Sequence, residues 1–308
     1  MKIVFLDAAT VGDTSLDGIS SLGELVCYQS STPQEALERV GNCEVLIVNK
    51  VKVTRELLAA APRLRLICEA ATGINNIDVD AAAEAGVIIR NVAGYSTDSV
   101  AQSTFMHILS LLGNAPYFDR TVKSGSYSRS GMFTDVSVPM TEAAGKTMGI
   151  IGMGVIGSKV ASIASAFGMK VIYFSTSGTS HCTDYPSVTL ETLLKESDVI
   201  SIHAPLNERT AGLIGYNELG LMKRSAVIAN LGRGGIIDET ALARAVDEDM
   251  IGGAALDVFV TEPVPEDNPL LHTRHPEKLR FTPHTAWASV EARERLVAAI
   301  AQNISKGW

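Results

Sequence analysis

One stretch limits the fold more than any other: "TMGIIGMGVIGSKVASIASAFG", residues 147–168. An apolar run over 147–151 leads into Gly152-x-Gly154-x-x-Gly157. An amphipathic helical pattern follows, and a second β-rich run, "KVIYF", begins at Lys170. The glycine spacing alone is a weak signal. Strand before, helix after and strand beyond make it strong, because each part then has a physical task. Two glycines let the backbone turn and approach a pyrophosphate, and the third lets helix and strand pack. The helix N-terminus supplies donors and positive potential. The stretch predicts a Rossmann unit that binds a dinucleotide.

The same alternation fills the rest of the chain. In the first third the β-rich runs are "KIVFLD", "ELVCYQ", "EVLIVNK", "LRLICEA" and "GVIIRNV". Between them lie helical stretches such as "TPQEALERV", with Thr32 as N-cap and Pro33 at the first helical position. This reads as a complete doubly wound domain, and 308 residues leave room for two cores. The expected fold is α/β with two doubly wound parallel-sheet domains, one flavodoxin-like and one Rossmann. A helix over 96–114 is apolar on nearly every side from Phe105 to Leu112, which suits a bridge between domains or a homodimer interface. His107 within it reads as a satisfied buried histidine. Residues 123–138, polar and rich in Gly and Ser, read as a loop.

Composition narrows the function. A formal net charge of −8 argues against a nucleic-acid partner or an anionic membrane surface. No run approaches the roughly 18 apolar residues of a membrane span. The opening "MKIVFLDAAT" reads as a first buried strand rather than a signal peptide, so a cytoplasmic protein is expected. The four cysteines have no CxxC spacing and read as reduced core thiols. His272 and His275 have no cysteine nearby, and no metal site is expected.

In open parallel sheets, ligands sit outside the carboxyl ends of the strands. After "DVISI" come His203, Ala204 and Pro205; after "SAVIAN" come Leu231, Gly232 and Arg233. After "GGAAL" comes Asp257 and then Glu262, and after "LRFTP" comes His284. Arg233, Glu262 and His284 make chemical sense together. A planar guanidinium can hold the carboxylate and adjacent carbonyl of a 2-keto acid. His284 can donate a proton to the carbonyl oxygen as hydride reaches the carbon. Glu262, bonded to the far ring nitrogen, would favour the protonated ring and fix its orientation.

The segments "ATGINNID", "NVAGYSTDSVAQ", "GIIGMGVIGSKVA", "SIHAPLNERTAGLIG", "ANLGRGGIIDETAL", "GGAALDVFVTEP" and "TPHTAWAS" resemble the NAD(P)-dependent D-2-hydroxyacid dehydrogenases. They are most similar to the glycerate dehydrogenase, or hydroxypyruvate reductase, branch. The resemblance covers nearly the whole chain in order. It implies that Arg233, Glu262 and His284 are catalytic. It places the cofactor on Gly152, Met153, Gly154, Val155, Ile156 and Gly157, on Ser175 and Thr176, and on His203, Ala204, Pro205 and Thr210. Leu231, Gly232, Arg233, Asp257 and His284 complete that set, with Asp257 on the nicotinamide carboxamide. Backbone amides at Thr72, Gly73 and Ile74 would clasp the substrate carboxylate. Residues 1–98 plus 286–308 would form the substrate-binding domain and 99–285 the NAD(P)-binding domain, with closure excluding water.

Trp287, just beyond His284, and Lys50, after a strand, push the substrate towards hydroxypyruvate, with glyoxylate also turned over. Three alternatives stay open: a nucleotide-sensing corepressor-like binding protein, a dehydrogenase for another acid such as D-lactate, and a formate-type enzyme. The cofactor is NAD, with NADP possible. Ser175 stands where NAD-selective folds carry an acid, so repulsion of a 2′-phosphate is missing. No Arg or Lys lies between Ser175 and Ser180 to attract one. The local sequence therefore predicts a modest preference for NADH.

Overall fold

The computed structural model describes residues 1–179 and 182–308. The chain divides into two compact units, Met1–Ser96 with Ala288–Trp308, and Thr97–Trp287. Each is an α/β unit around one parallel sheet.

The first unit holds β1 (Lys2–Phe5), β2 (Glu24–Cys27), β3 (Val45–Val48), β4 (Leu66–Glu69) and β5 (Ile88–Arg90). They pair in the order β2-β1-β3-β4-β5, every pair parallel. β3 and β4 are buried along their whole length, which explains the unbroken Val/Leu/Ile run of β3 and the apolar start of β4. The helix Pro33–Val40 starts on a capping box in which Thr32 and Glu35 bond each other's backbone amides. The final helix, Val290–Ser305, belongs to this unit and buries Leu296, Ile300 and Ile304.

The second unit holds β6 (Thr147–Ile151), β7 (Lys170–Phe174), β8 (Val199–Ile202), β9 (Val227–Asn230), β10 (Gly253–Leu256) and β11 (Leu279–Phe281). Their order is β11-β10-β9-β8-β6-β7, again all parallel. The strand order reverses at β6, which lies between β7 and β8. The turns after β7 and β8 therefore flank the turn after β6.

In the helix Thr97–Leu112, Phe105, Ile108, Leu111 and Leu112 join the core with Met148 and Ile150, while Met106 is 53% and Leu109 38% exposed. One expectation needs correction: the stretch 123–138 is not wholly irregular, because a short helix, Ser126–Ser130, sits in it. Its flanking Gly125 and Gly131 adopt φ of 72° and 69°, so these glycines punctuate a helix. Met132, Phe133, Val136 and Met140 beyond it are exposed. Among the described residues, no helix is long and apolar enough to cross a membrane.

Candidate active site

The carboxyl edge of the second sheet gathers the polar turns. At the end of β6, a Cβ on Gly152 would lie 2.9 Å from the Ala204 nitrogen, and one on Gly157 2.2 Å from the Gly152 oxygen. Neither position accepts a side chain without moving backbone. A Cβ on Gly154 would meet nothing within 4 Å. That open position heads the helix Val155–Ala166 and borders a cavity of about 640 Å³. Met153, Ser175, Thr176, His203 and Pro205 also line the cavity, while Ala204 and Leu231 are buried beneath the edge.

His203 sits on the cavity wall as a neutral imidazole. Burial pushes its pKa down to about 4. One ring nitrogen, Nε2, lies 2.8 Å from Ser201 Oγ, and buried Nδ1 has no partner among the described residues. An unpaired buried polar atom beside an open glycine turn fits a site that expects a ligand. Thr210 is placed differently. It is fully buried, and its hydroxyl donates to Pro205 O at 2.6 Å and accepts from the Asn207 amide at 2.8 Å. Its side chain clamps the turn from inside.

Arg233, Glu262 and His284 follow β9, β10 and β11, three adjacent strands. His284 Nδ1 lies 2.6 Å from Glu262 Oε2, and Nε2 makes no hydrogen bond among the described residues. Glu262 is held in turn, because Oε1 accepts the Phe259 amide at 3.0 Å. Arg233 Nη1 donates to Gly232 O at 2.8 Å, and the guanidinium has no ion-pair partner among the described residues. An imidazole oriented by a pinned carboxylate and a cation without a counter-ion, carried on neighbouring strand ends, can bind an anion and hand it a proton.

The supports of these turns are residues that sequence reasoning missed. Buried Asn230 donates to Arg233 O at 2.8 Å and accepts the Gly232 amide at 3.1 Å, closing the Arg233 turn. Glu239 accepts the Val260 amide at 2.7 Å and Asn268 Nδ2 at 2.6 Å, fixing the Glu262 loop. A Cβ on Gly234 would stand 1.9 Å from Phe259 O, so the two loops touch only because Gly234 has none.

Asp257, expected on the nicotinamide carboxamide, is buried and engaged by the His284 turn. It accepts Thr282 Oγ1 at 2.6 Å and the Thr285 and Ala286 amides at 2.8 and 3.0 Å. This bracing holds His284 at φ 54°, in the left-handed region that few side chains adopt. His107, its pKa lowered by burial, reaches the same Thr282 hydroxyl at 3.0 Å. Trp287, half-buried, packs against the helix-side core of this unit.

Lys50, Thr72, Gly73 and Ile74 belong to the first unit, at the ends of β3 and β4. Asp7 accepts the amides of Asn49, Lys50 and Val51, fixing the Lys50 backbone and leaving its side chain exposed. Thr72 is tied to Val92 O through its hydroxyl and to Asn91 through its carbonyl. The amides of Thr72, Gly73 and Ile74 enter no hydrogen bond among the described residues.

Comparison with known proteins agrees with this geometry. Residues 105–286 match the family described as "D-isomer specific 2-hydroxyacid dehydrogenase, NAD binding domain". A glycerate dehydrogenase of Methylorubrum extorquens is 36% identical over 304 residues, 98% of this chain and 95% of its own. A hydroxypyruvate reductase of Blautia hydrogenotrophica is 33% identical over 313 residues, 99% of this chain and 96% of its own. An acyclic imino acid reductase solved with NADPH and D-Arg superposes with a TM-score of 0.86 at 30% identity, covering 99% of this chain and 96% of that one. The fit of the open glycine turn to a nicotinamide dinucleotide and the matched family agree: this chain belongs to the D-isomer specific 2-hydroxyacid dehydrogenases and is an NAD(P)-dependent enzyme of that family.

Proposed function

We propose that the chain reduces hydroxypyruvate, and glyoxylate as a smaller alternative, to the D-2-hydroxy acid, with His284 as proton donor. The 2.6 Å contact between His284 Nδ1 and Glu262 carries this reading. It holds the ring in one orientation with Nε2 as the proton-bearing position, and the carboxylate balances the charge of the protonated ring. The nicotinamide supplies or accepts the hydride when bound. Arg233, held by the Asn230 clamp, binds the carboxylate of the keto acid and polarises the carbonyl. Glu262 is a positioning residue that acts through His284.

The names of the Methylorubrum and Blautia relatives support hydroxypyruvate as a substrate. The free amides at Thr72, Gly73 and Ile74 suit an anion of the same class, and Lys50 and Trp287 are the side chains assigned to substrate choice. The chain acts as a cytoplasmic homodimer through the exposed apolar surface of Met106, Leu109, Phe133 and Val136. A panel of hydroxypyruvate, glyoxylate, pyruvate and 3-phosphohydroxypyruvate with both reduced cofactors tests the substrate. Hydroxypyruvate should give the highest kcat/KM, and a tenfold lead for another acid would reassign it. A monomer by sedimentation at micromolar concentration would remove the dimer.

A further inference from the structure

The turn after β7 has no acid to repel a 2′-phosphate, and its own sequence has no base to attract one. The fold supplies that base from another turn. Because β7 and β8 flank β6, the segment after β8 folds over beside residues 175–179. Arg209, 32 residues from Ser177, donates from Nη1 to Ser177 O at 2.7 Å. It lines the same cavity as Ser175, Thr176 and Gly154. The other guanidinium nitrogens make no hydrogen bond, and Arg209 has no ion-pair partner among the described residues.

Arg209 is anchored at both ends. Its own amide donates to Asn207 Oδ1 at 2.9 Å, within the turn that buried Thr210 clamps. The turn it reaches is closed as well, with Ser175 Oγ donating to Thr179 O at 2.7 Å. A cation fixed over the end of the second Rossmann strand stands where the adenosine ribose of a dinucleotide lies. Ser175 and Ser177 use their hydroxyl protons on Thr179 O, so they add little donation of their own. Thr176 keeps its hydroxyl outside any hydrogen bond among the described residues. Glu208 lines the same cavity and opposes an anion there.

We propose that Arg209, with the Thr176 hydroxyl, binds the 2′-phosphate of the adenosine ribose, so that this chain prefers NADP(H) to NAD(H). The proposal rests on the cofactor assignment of the site and is independent of which keto acid is reduced. It reverses the NADH preference that the local sequence predicts, because the missing attraction comes from a distant residue. A charge-assisted contact of a planar fork with a phosphate carries about ten- to a hundredfold in affinity.

Calorimetric titration of the wild type with NADP⁺, NAD⁺, 2′,5′-ADP and 5′-AMP tests it without turnover. NADP⁺ should bind about tenfold or more tightly than NAD⁺, and 2′,5′-ADP should exceed 5′-AMP by a similar factor. Arg209→Ala should remove both differences while NAD⁺ affinity changes by less than about twofold. Glu208→Gln should strengthen NADP⁺ binding, and Ser175→Asp should restore preference for NAD⁺. A wild type that favours NAD⁺, or an Arg209→Ala variant with its NADP⁺ preference intact, overturns the proposal. Tight NADP⁺ binding in a protein that reduces no 2-keto acid would overturn the substrate assignment instead, and leave Arg209 standing.

Discussion

The turn after β6 and the turns after β9, β10 and β11 share one sheet edge but are built by opposite means. The first is shaped by absence: Gly152 and Gly157 admit no Cβ, and Gly154 leaves an open face. The others are shaped by polar side chains, buried Asn230 and Asp257 and part-buried Glu239, each of which ties down the backbone beside a charged group. A binding cradle needs room for a ligand. A proton donor needs a fixed direction, and only hydrogen bonds supply direction.

The largest effect should come from the directed part. His284→Gln should lower kcat by about two to four orders of magnitude, as expected for a general acid, with cofactor affinity nearly unchanged. Retention of more than about a third of turnover would make His284 a structural residue. Gly234→Ala tests whether absence also matters between the catalytic turns. Its Cβ, 1.9 Å from Phe259 O, must displace the loop that pins Glu262. A shift of the order of 1 Å should lower kcat by about a hundredfold. Wild-type kinetics in this variant would show that Glu262 tolerates a moved loop. Asn230→Ala removes a buried clamp and should cost about 1–3 kcal/mol of stability, with a raised KM for the keto acid. An unchanged KM would detach Arg233 from substrate binding.

The smallest effect lies in the first unit, under the turn of free amides. Glu69 is fully buried at the end of β4, with Asn76 donating to Oε2 at 3.0 Å and Oε1 unpartnered. Burial pushes its pKa from 4.5 up to about 8. The folded state therefore keeps a proton that the unfolded chain has lost, and stability falls as pH rises between those two values. Above about pH 8 the loss is complete. Glu69→Gln should flatten this slope, so its Tm should gain on the wild type between pH ~5 and ~9. Parallel Tm curves would mean that Glu69 is already ionised in the folded protein.

Much of this contrast was legible in the sequence, for a physical reason. Local features declare themselves: unbroken apolar runs marked the buried strands, and the glycine turn was read from six consecutive residues. The two parallel sheets follow from that pattern. The clamps were not legible, because Asp257 and Thr285, or Glu239 and Asn268, meet only after strands separated in sequence become neighbours. Arg209 was missed in the same way, since only the order β7-β6-β8 brings it to Ser177. The segment 123–138 failed differently, because its Gly and Ser content suits helix ends as well as loops.

The central claim is that Glu262 acts through His284 to keep a proton ready for the keto acid. Its most direct test is a double-mutant cycle on hydroxypyruvate reduction at saturating cofactor, with Glu262→Gln, His284→Gln and the two together. The carboxylate at 2.6 Å orients the ring that hands over the proton, so its loss should matter only while His284 is present. Glu262→Gln should therefore lower kcat in the wild type and change nothing further in the His284→Gln background. An equal loss of kcat in both backgrounds would contradict the coupling and leave Glu262 as a residue that holds its loop.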